Sequence, residues 1–145
     1  LLNCPKKGEE LIAKLKSQEI KLATQFSKLP KKRALVVLGL KPLVSAGPNS
    51  FIDRFLPLIR LENVVTKGGT YPILDEEALL SLKPHIVIDL GMANADASKT
   101  YWKSFPKTVD FRVHQTHDDA LLRLGPRLFQ ALETLGAAVH TKGSP

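Results

Sequence analysis

Residues 34–38 read Ala-Leu-Val-Val-Leu and residues 85–90 read His-Ile-Val-Ile-Asp-Leu, and these two apolar segments decide the fold. An apolar run without polar alternation is typical of a strand that is covered on both faces, as in a parallel sheet. We therefore predict that residues 34–38 and 86–90 are interior, parallel strands of one sheet.

A long helix is predicted before the first strand, over residues 9–29, and Pro30 ends it because proline cannot continue a helix. Its apolar residues recur at helical spacing, with lysines opposite them. These residues are Leu11, Leu15, Leu22, Phe26 and Leu29.

Further helices and strands alternate along the rest of the chain. The predicted helices cover residues 51–59 (capped by Asn49-Ser50 and shortened by Pro57), 75–82, a short stretch around Tyr101-Trp102, and 120–140; the predicted strands cover residues 63–65 and 109–113. This alternation predicts an α/β fold with three layers, helix–sheet–helix, and a mostly parallel sheet.

The ligand site of such a sheet lies outside the carboxyl ends of its strands. Right-handed crossovers bring the strand-to-helix loops to that one edge. The candidate site therefore consists of four loops, at residues 39–49, 67–74, 91–98 and 114–123.

Composition excludes several classes of protein. The formal net charge of +7 is concentrated in the first quarter of the chain, without the interleaved aromatic residues that stack on bases, so no nucleic-acid partner is expected. No segment reaches the roughly 18 to 20 apolar residues of a membrane span. Cys4 is the only cysteine, so an internal disulfide is excluded. Residues 1–4 partly match a lipoprotein cleavage box, although an ordinary thiol is the favoured interpretation.

No glycine-rich phosphate-binding motif is present, and no cofactor is expected. His114 and His117, followed by Asp118 and Asp119, are residue types that ligate metals. Their spacing on a loop is unspecific, so we predict no metal site. An alternative function remains open, a small chelatase-like α/β enzyme that uses His114 or His117 as base or metal ligand, and so does a plain interaction module.

The remaining candidates are charged and aromatic residues of the four loops. Arg123 follows Asp119 by one predicted helical turn, and its guanidinium could bind a ligand carboxylate or phosphate or form an internal ion pair. Tyr71 could offer a flat ring to a macrocycle or anchor its own loop. Glu77 is either an ordinary helix-start acid or a docking charge. The candidate ligand-binding residues are Lys41, Tyr71, His117, Asp119 and Arg123.

Five motifs in register resemble one family. They are Lys31-Lys32-Arg33 entering the strand, Gly47-Pro48-Asn49-Ser50, Leu61-Glu62-Asn63-Val64, the block at residues 75–88, and Leu124-Gly125-Pro126-Arg127. Over residues 9–140 the chain resembles the C-terminal lobe of the vitamin B12, haem and siderophore class of periplasmic binding proteins.

The resemblance implies a Rossmann-like lobe at residues 31–145, preceded at residues 1–30 by the C-terminal part of a long interlobe helix. It implies a missing N-terminal lobe and a binding protein, not an enzyme, for a chelate such as a corrinoid, haem or ferric siderophore. The ABC permease would be the partner, with Glu77 as the docking residue and Tyr71, Asp119 and Arg123 on the ligand side. The location implied is the periplasm or the outer face of the cytoplasmic membrane.

Overall fold

A mixed sheet between two layers of helices forms the body of the molecule. The computed structural model describes residues 5–90, 95–105, 111–116, 119–123, 125 and 127–140. Its α-helices are α1 (Pro5–Phe26), α2 (Glu76–Leu82), α3 (Ala95–Lys103) and α4 (Leu128–His140). Its strands are β1 (Lys32–Leu40), β2 (Leu43–Ser45), β3 (Leu61–Asn63), β4 (Ile73–Leu74), β5 (Ile86–Asp89) and β6 (Arg112–Gln115). Three 3-10 helices cover Ile52–Arg54, Leu56–Ile59 and Asp119–Leu122.

The two strands on which the fold was predicted lie side by side in the middle of the sheet. β1 and β5 pair in parallel, with Val36 opposite Ile88, and β6 pairs in parallel on the other side of β5. β3 pairs in parallel with the first half of β1. The hairpin strand β2 and then β4 extend the sheet by antiparallel pairing. The predicted mostly parallel sheet is confirmed, with the order β4-β2-β1-β5-β6 and β3 beside β1.

The two faces of the sheet carry separate apolar clusters, which confirms the three layers. Alternate residues of β5 face opposite sides: Ile86 and Ile88 join a cluster with α1, α4 and the 3-10 helices, whereas Val87 joins one with α2 and α3. We call these the first face and the second face. The same alternation along β1 sends Val36 to the first face and Leu35 to the second.

The predicted α-helix over residues 51–59 is wrong. The structure has two 3-10 helices there, with Pro57 at the start of the second and Arg60 in a left-handed conformation (φ 58°) at its end. Proline has no N–H to donate, so an α-helix cannot continue through Pro57. The expected cap survives locally, because the Ser50 hydroxyl accepts a hydrogen bond from the Asp53 N–H at 3.4 Å.

Other predicted boundaries also shift. The closing helix begins at Leu128, not at residue 120, with Gly125-Pro126 just before it. The third strand ends at Asn63 because the Asn63 side chain accepts the Val65 N–H at 3.0 Å and replaces the ladder bond. Residues 95–98, predicted as loop, are helical in α3, and β6 lies later than predicted. Residues 91–94 and 106–110 lie outside the described part of the chain.

Helix α1 is also displaced, ending at Phe26 and not at residue 29. A tighter turn follows, in which the Leu29 N–H donates to the Phe26 carbonyl at 3.1 Å. Leu22 and Phe26 are buried in the first face as predicted, whereas Leu11 is 55% exposed. The first half of α1 therefore extends beyond the apolar cluster on which its second half packs.

Candidate functional site at the carboxyl edge of the sheet

The carboxyl ends of β1, β3, β5 and β6 point the same way because these strands are parallel. β4 also runs in this direction, since it is antiparallel to β2 and β2 is antiparallel to β1. The start of α2 follows β4 directly and so lies at the same edge. The structure therefore brings the turn at Lys41 and the start of α2, with Glu77, to this edge, as the crossover rule predicts. The Tyr71 loop (residues 66–72) follows the carboxyl end of β3 and precedes β4.

The Tyr71 loop is held by backbone hydrogen bonds on both sides of the tyrosine. The Ser45 N–H donates to the Pro72 carbonyl at 3.0 Å, and the Gly47 N–H donates to the Thr70 carbonyl at 2.7 Å. The Tyr71 side chain remains 54% exposed. This geometry presents the ring to solvent from a fixed backbone, which is the arrangement that a ligand-contacting aromatic requires.

Glu77 lies in the first turn of α2, which Asp75 caps. The Asp75 Oδ1 atom accepts the Ala78 N–H at 2.7 Å, as the acidic start of this helix predicts. Glu77 itself is exposed, and no lysine or arginine of the described residues is paired with it. Its carboxylate is thus available to an external cation.

The other predicted ligand-binding residues are not brought into one observed cluster. Lys41 is exposed at the turn between β1 and β2, and Arg123 is exposed after the last 3-10 helix. Asp119 begins that 3-10 helix, but its side chain lies outside the description, as does the whole of His117. The expectation that Asp119 and Arg123 lie one α-helical turn apart is wrong, because α4 begins only at Leu128.

His114 lies on β6, opposite Ile88, and is half-buried. Its burial, and then the positive charge of Arg112, lower the pKa of its imidazole below the ordinary value. Among the described residues, no group of three or more histidine, cysteine, aspartate or glutamate side chains could hold a metal ion. Within the described residues, no hydrogen bond joins His114 to a carboxylate.

Asp89 is a polar residue of this edge that reasoning from sequence missed. It is the last residue of β5 and only 2% exposed, and its Oδ2 atom accepts a hydrogen bond from Trp102 Nε1 at 2.8 Å. Trp102 also packs against Phe105 and Phe111. An acid that ends an apolar strand, with a tryptophan in the following helix, is the signal that could have found it. The bond ties the carboxyl end of β5 to α3.

A cavity of about 370 Å³ lies elsewhere, along the outer side of β3. Asp53, Arg60 and Asn63 contribute to its lining. Asn63 is held there by two hydrogen bonds from its Nδ2 atom, to Ala46 O and to Asp53 Oδ1, both at 2.9 Å. β3 lies beside the first half of β1, so this cavity is separate from the turn at Lys41.

Within the described residues, no helix is long and apolar enough to cross a membrane.

Comparison with known families gives one match over most of the chain. The sequence profile of the family described as periplasmic binding protein matches residues 1–120. An uncharacterized ABC transporter substrate-binding lipoprotein, YvrC of Bacillus subtilis (strain 168), is 23% identical over 141 residues, which are 93% of this chain and 45% of YvrC. The chain thus spans about half the length of this relative.

Three solved structures have the same fold at low sequence identity. A possible iron-binding periplasmic protein from Staphylococcus epidermidis has a TM-score of 0.80 and 18% identity, over 94% of this chain and 56% of that one. The vitamin B12 binding protein BtuF of Vibrio cholerae has a TM-score of 0.76 and 18% identity, over 97% and 57%. A periplasmic heme binding protein from Pseudomonas aeruginosa has a TM-score of 0.76 and 24% identity, over 99% and 57%. Each match again covers little more than half of the larger protein.

Proposed function

The chain belongs to the periplasmic binding protein family, and from that premise we propose that it is one lobe of the substrate-binding component of an ABC importer. The proposed substrate is a metal chelate such as a corrinoid, haem or ferric siderophore. The observation that carries this proposal is the family match over residues 1–120. Named relatives bind vitamin B12 and heme, which supports the class of ligand.

The exposed half of α1 supports a two-lobed protein. Leu11 and Ile12 are 55% and 54% exposed, whereas Leu22 and Phe26 of the same helix are buried. Neighbouring exposed apolar residues are typical of a surface that another protein body covers. We propose that residues 1–30 are the C-terminal part of an interlobe helix, whose first half packs on an N-terminal lobe, and that residues 31–145 form the C-terminal lobe.

The proposed ligand lies between the lobes, against the carboxyl edge of this one. Tyr71 offers an exposed ring to a flat macrocycle. Lys41 and Arg123, both exposed, supply positive charge for the anionic groups of a chelate. His117 and Asp119 complete the proposed set.

The proposed partner is the ABC permease in the membrane, which places the protein outside the cytoplasm, in the periplasm or on the outer face of the membrane. Glu77 supports this partner, because its exposed carboxylate can meet an arginine of the permease. The chelatase-like alternative gains no support, since the matched family consists of binding proteins and no described carboxylate orients His114. We propose that the protein is not an enzyme.

Ligand titration tests the proposed function. Hemin, cyanocobalamin and a ferric siderophore are titrated into this chain and into a two-lobed version, with binding followed by calorimetry. The two-lobed protein should bind one of them tightly, and this chain only weakly, because half of the contacts and the closing motion are absent. A sub-micromolar dissociation constant for this chain alone would contradict the missing lobe, and no binding by the two-lobed protein to any chelate would contradict the function.

Glu77→Ala in the two-lobed protein tests docking. At an interface that excludes water, loss of one partner of a close charge pair costs about 2 to 5 kcal/mol. The variant should therefore bind the permease more weakly, while its melting temperature stays near that of the wild type. Glu76→Ala is the matched control, since Glu76 is also exposed in the first turn of α2. A Glu77→Ala protein that melts early but docks normally would make Glu77 a helix-start residue only.

A further inference from the structure

Residues 45–47 form a buried backbone segment that connects the Tyr71 loop to the core; we call it the 45–47 segment. Its N–H groups donate alternately to the loop on one side and to β1 on the other. Ser45 donates to Pro72 O at 3.0 Å, Ala46 to Val36 O at 2.9 Å and Gly47 to Thr70 O at 2.7 Å. The Ala46 carbonyl accepts from Asn63 Nδ2 at 2.9 Å. The segment is thus anchored to β1 and to the end of β3, and the Tyr71 loop is hydrogen-bonded to it.

At Gly47 the loop packs tightly against this segment. A Cβ atom at Gly47 would overlap the carbonyl oxygen of Gly69 and would lie 2.8 Å from Cδ of Pro72. These neighbours are a backbone oxygen and a proline ring, so neither is the end of a flexible side chain that could turn away by itself. Only glycine therefore permits the observed approach.

If a methyl group were added at Gly47, the loop would move and the 45–47 segment would not. Ser45 and Ala46 are fully buried and bonded to the core, whereas residues 66–71 are exposed. Gly68 and Gly69 have positive φ angles of 96° and 90°, so the loop conformation itself depends on glycine. An exposed loop yields more readily than a buried core segment.

We propose that Gly47 is a positioning residue for Tyr71: its missing side chain lets the loop dock against the 45–47 segment and holds the exposed ring in one orientation. The consequence for ligand binding rests on the proposed function. A ring that is fixed before binding loses less conformational freedom when the ligand arrives. Gly47 thus contributes to affinity without touching the ligand.

Fluorine NMR tests the positioning without any ligand. The chain has two tyrosines, so incorporation of 3-fluorotyrosine gives one resonance for Tyr71 and one for Tyr101, and Tyr71→Phe assigns them. In Gly47→Ala the Tyr71 resonance should shift or broaden while that of Tyr101 stays unchanged. Gly8→Ala is the control, because a Cβ at Gly8 meets nothing within 4 Å. An unchanged Tyr71 resonance in folded Gly47→Ala would overturn the proposal.

Hydrogen exchange in the wild type gives a second measurement that does not depend on the variant folding. The Gly47 amide should be protected from exchange to a similar degree as the Ala46 amide, because it donates to Thr70 at 2.7 Å. Exchange of the Gly47 amide as fast as that of an exposed loop amide would show that the loop is not docked, and would overturn the proposal.

A double-mutant cycle with hemin as probe connects the positioning to ligand binding. Gly47→Ala should weaken hemin binding by about twofold to tenfold, the range that a well-placed aromatic contact contributes. In a Tyr71→Ala background the same substitution should have no further effect, because the two act through one ring. If the fluorine signal moves while hemin affinity is unchanged in both backgrounds, the positioning stands and the ligand role of Tyr71 fails.

Discussion

The two faces of the sheet are covered in different ways, although the same strands supply both. On the first face the buried side chains from the sheet and from α4 are mainly aliphatic. On the second face Trp102 lies among Tyr101, Phe105 and Phe111, and it donates to the buried carboxylate of Asp89. Burial on the first face is non-directional, whereas the second face has a hydrogen bond that defines the orientation of one helix. The first face should therefore contribute mostly stability, and the second should also position the carboxyl edge.

The largest effect is expected from a cavity on the first face. Ile88→Ala removes a side chain that is 1% exposed between the sheet and α4, and should lower the free energy of unfolding by about 2 to 5 kcal/mol. Urea denaturation followed by circular dichroism measures it. The matched control is Ile73→Ala, at a side chain that is 67% exposed. Equal costs for both variants would contradict the assigned burial.

A change on the second face tests the directional bond. Trp102→Phe keeps an aromatic ring but removes the donor to Asp89, and loss of a partner to a buried polar group costs about 1 to 3 kcal/mol. Asp89→Ala and the double variant complete a cycle by urea denaturation. The two costs should not add, because the residues form one hydrogen bond of 2.8 Å. If the two changes in unfolding free energy add strictly, the Asp89–Trp102 hydrogen bond contributes nothing, and the second face is held by apolar packing alone, like the first.

A smaller effect, dependent on pH, is expected from His114, which lies on β6 beside the first-face residue Ile88. Burial and then Arg112 lower its pKa below 6.5 in the folded chain, so the unfolded chain binds the proton more tightly. Stability should fall as pH drops below about 6.5. His114→Gln should flatten this part of the curve of unfolding free energy against pH, measured from pH 7.5 to 5. A variant curve as steep as that of the wild type would show that His114 is not responsible.

The smallest effect is expected at the end of α1 that extends beyond the first face. Leu11→Ser should change the free energy of unfolding of this chain by no more than about 0.5 kcal/mol, as for other exposed positions. Leu22→Ser, on the same helix but buried in the first face, should be strongly destabilising. Thermal melts of the two variants make the comparison. A large loss for Leu11→Ser would mean that the first half of α1 packs against this lobe after all.

Much of the architecture could be predicted because its signals are local. The apolar runs at residues 34–38 and 86–90 identified the parallel central strands, and Asp75 identified the start of α2. The order of elements then placed the start of α2, with Glu77, after β4. The family resemblance identified the same class of protein that the profile over residues 1–120 matches. These features can be predicted from sequence, because apolar runs and helix caps depend on a few neighbouring residues and the handedness of crossovers follows one general rule.

The tertiary structure alone decided which distant groups meet. The carboxylate of Asp89 accepts a hydrogen bond from Trp102, and Gly47 packs against Gly69. Leu11 lies beyond the apolar cluster in which Leu22 is buried. None of these contacts has a repeating signal along the chain, because each depends on the path of the backbone through the whole sheet. The sequence by itself determined a parallel α/β fold; close approach between segments far apart in the chain determined how its helices and loops are held against the sheet.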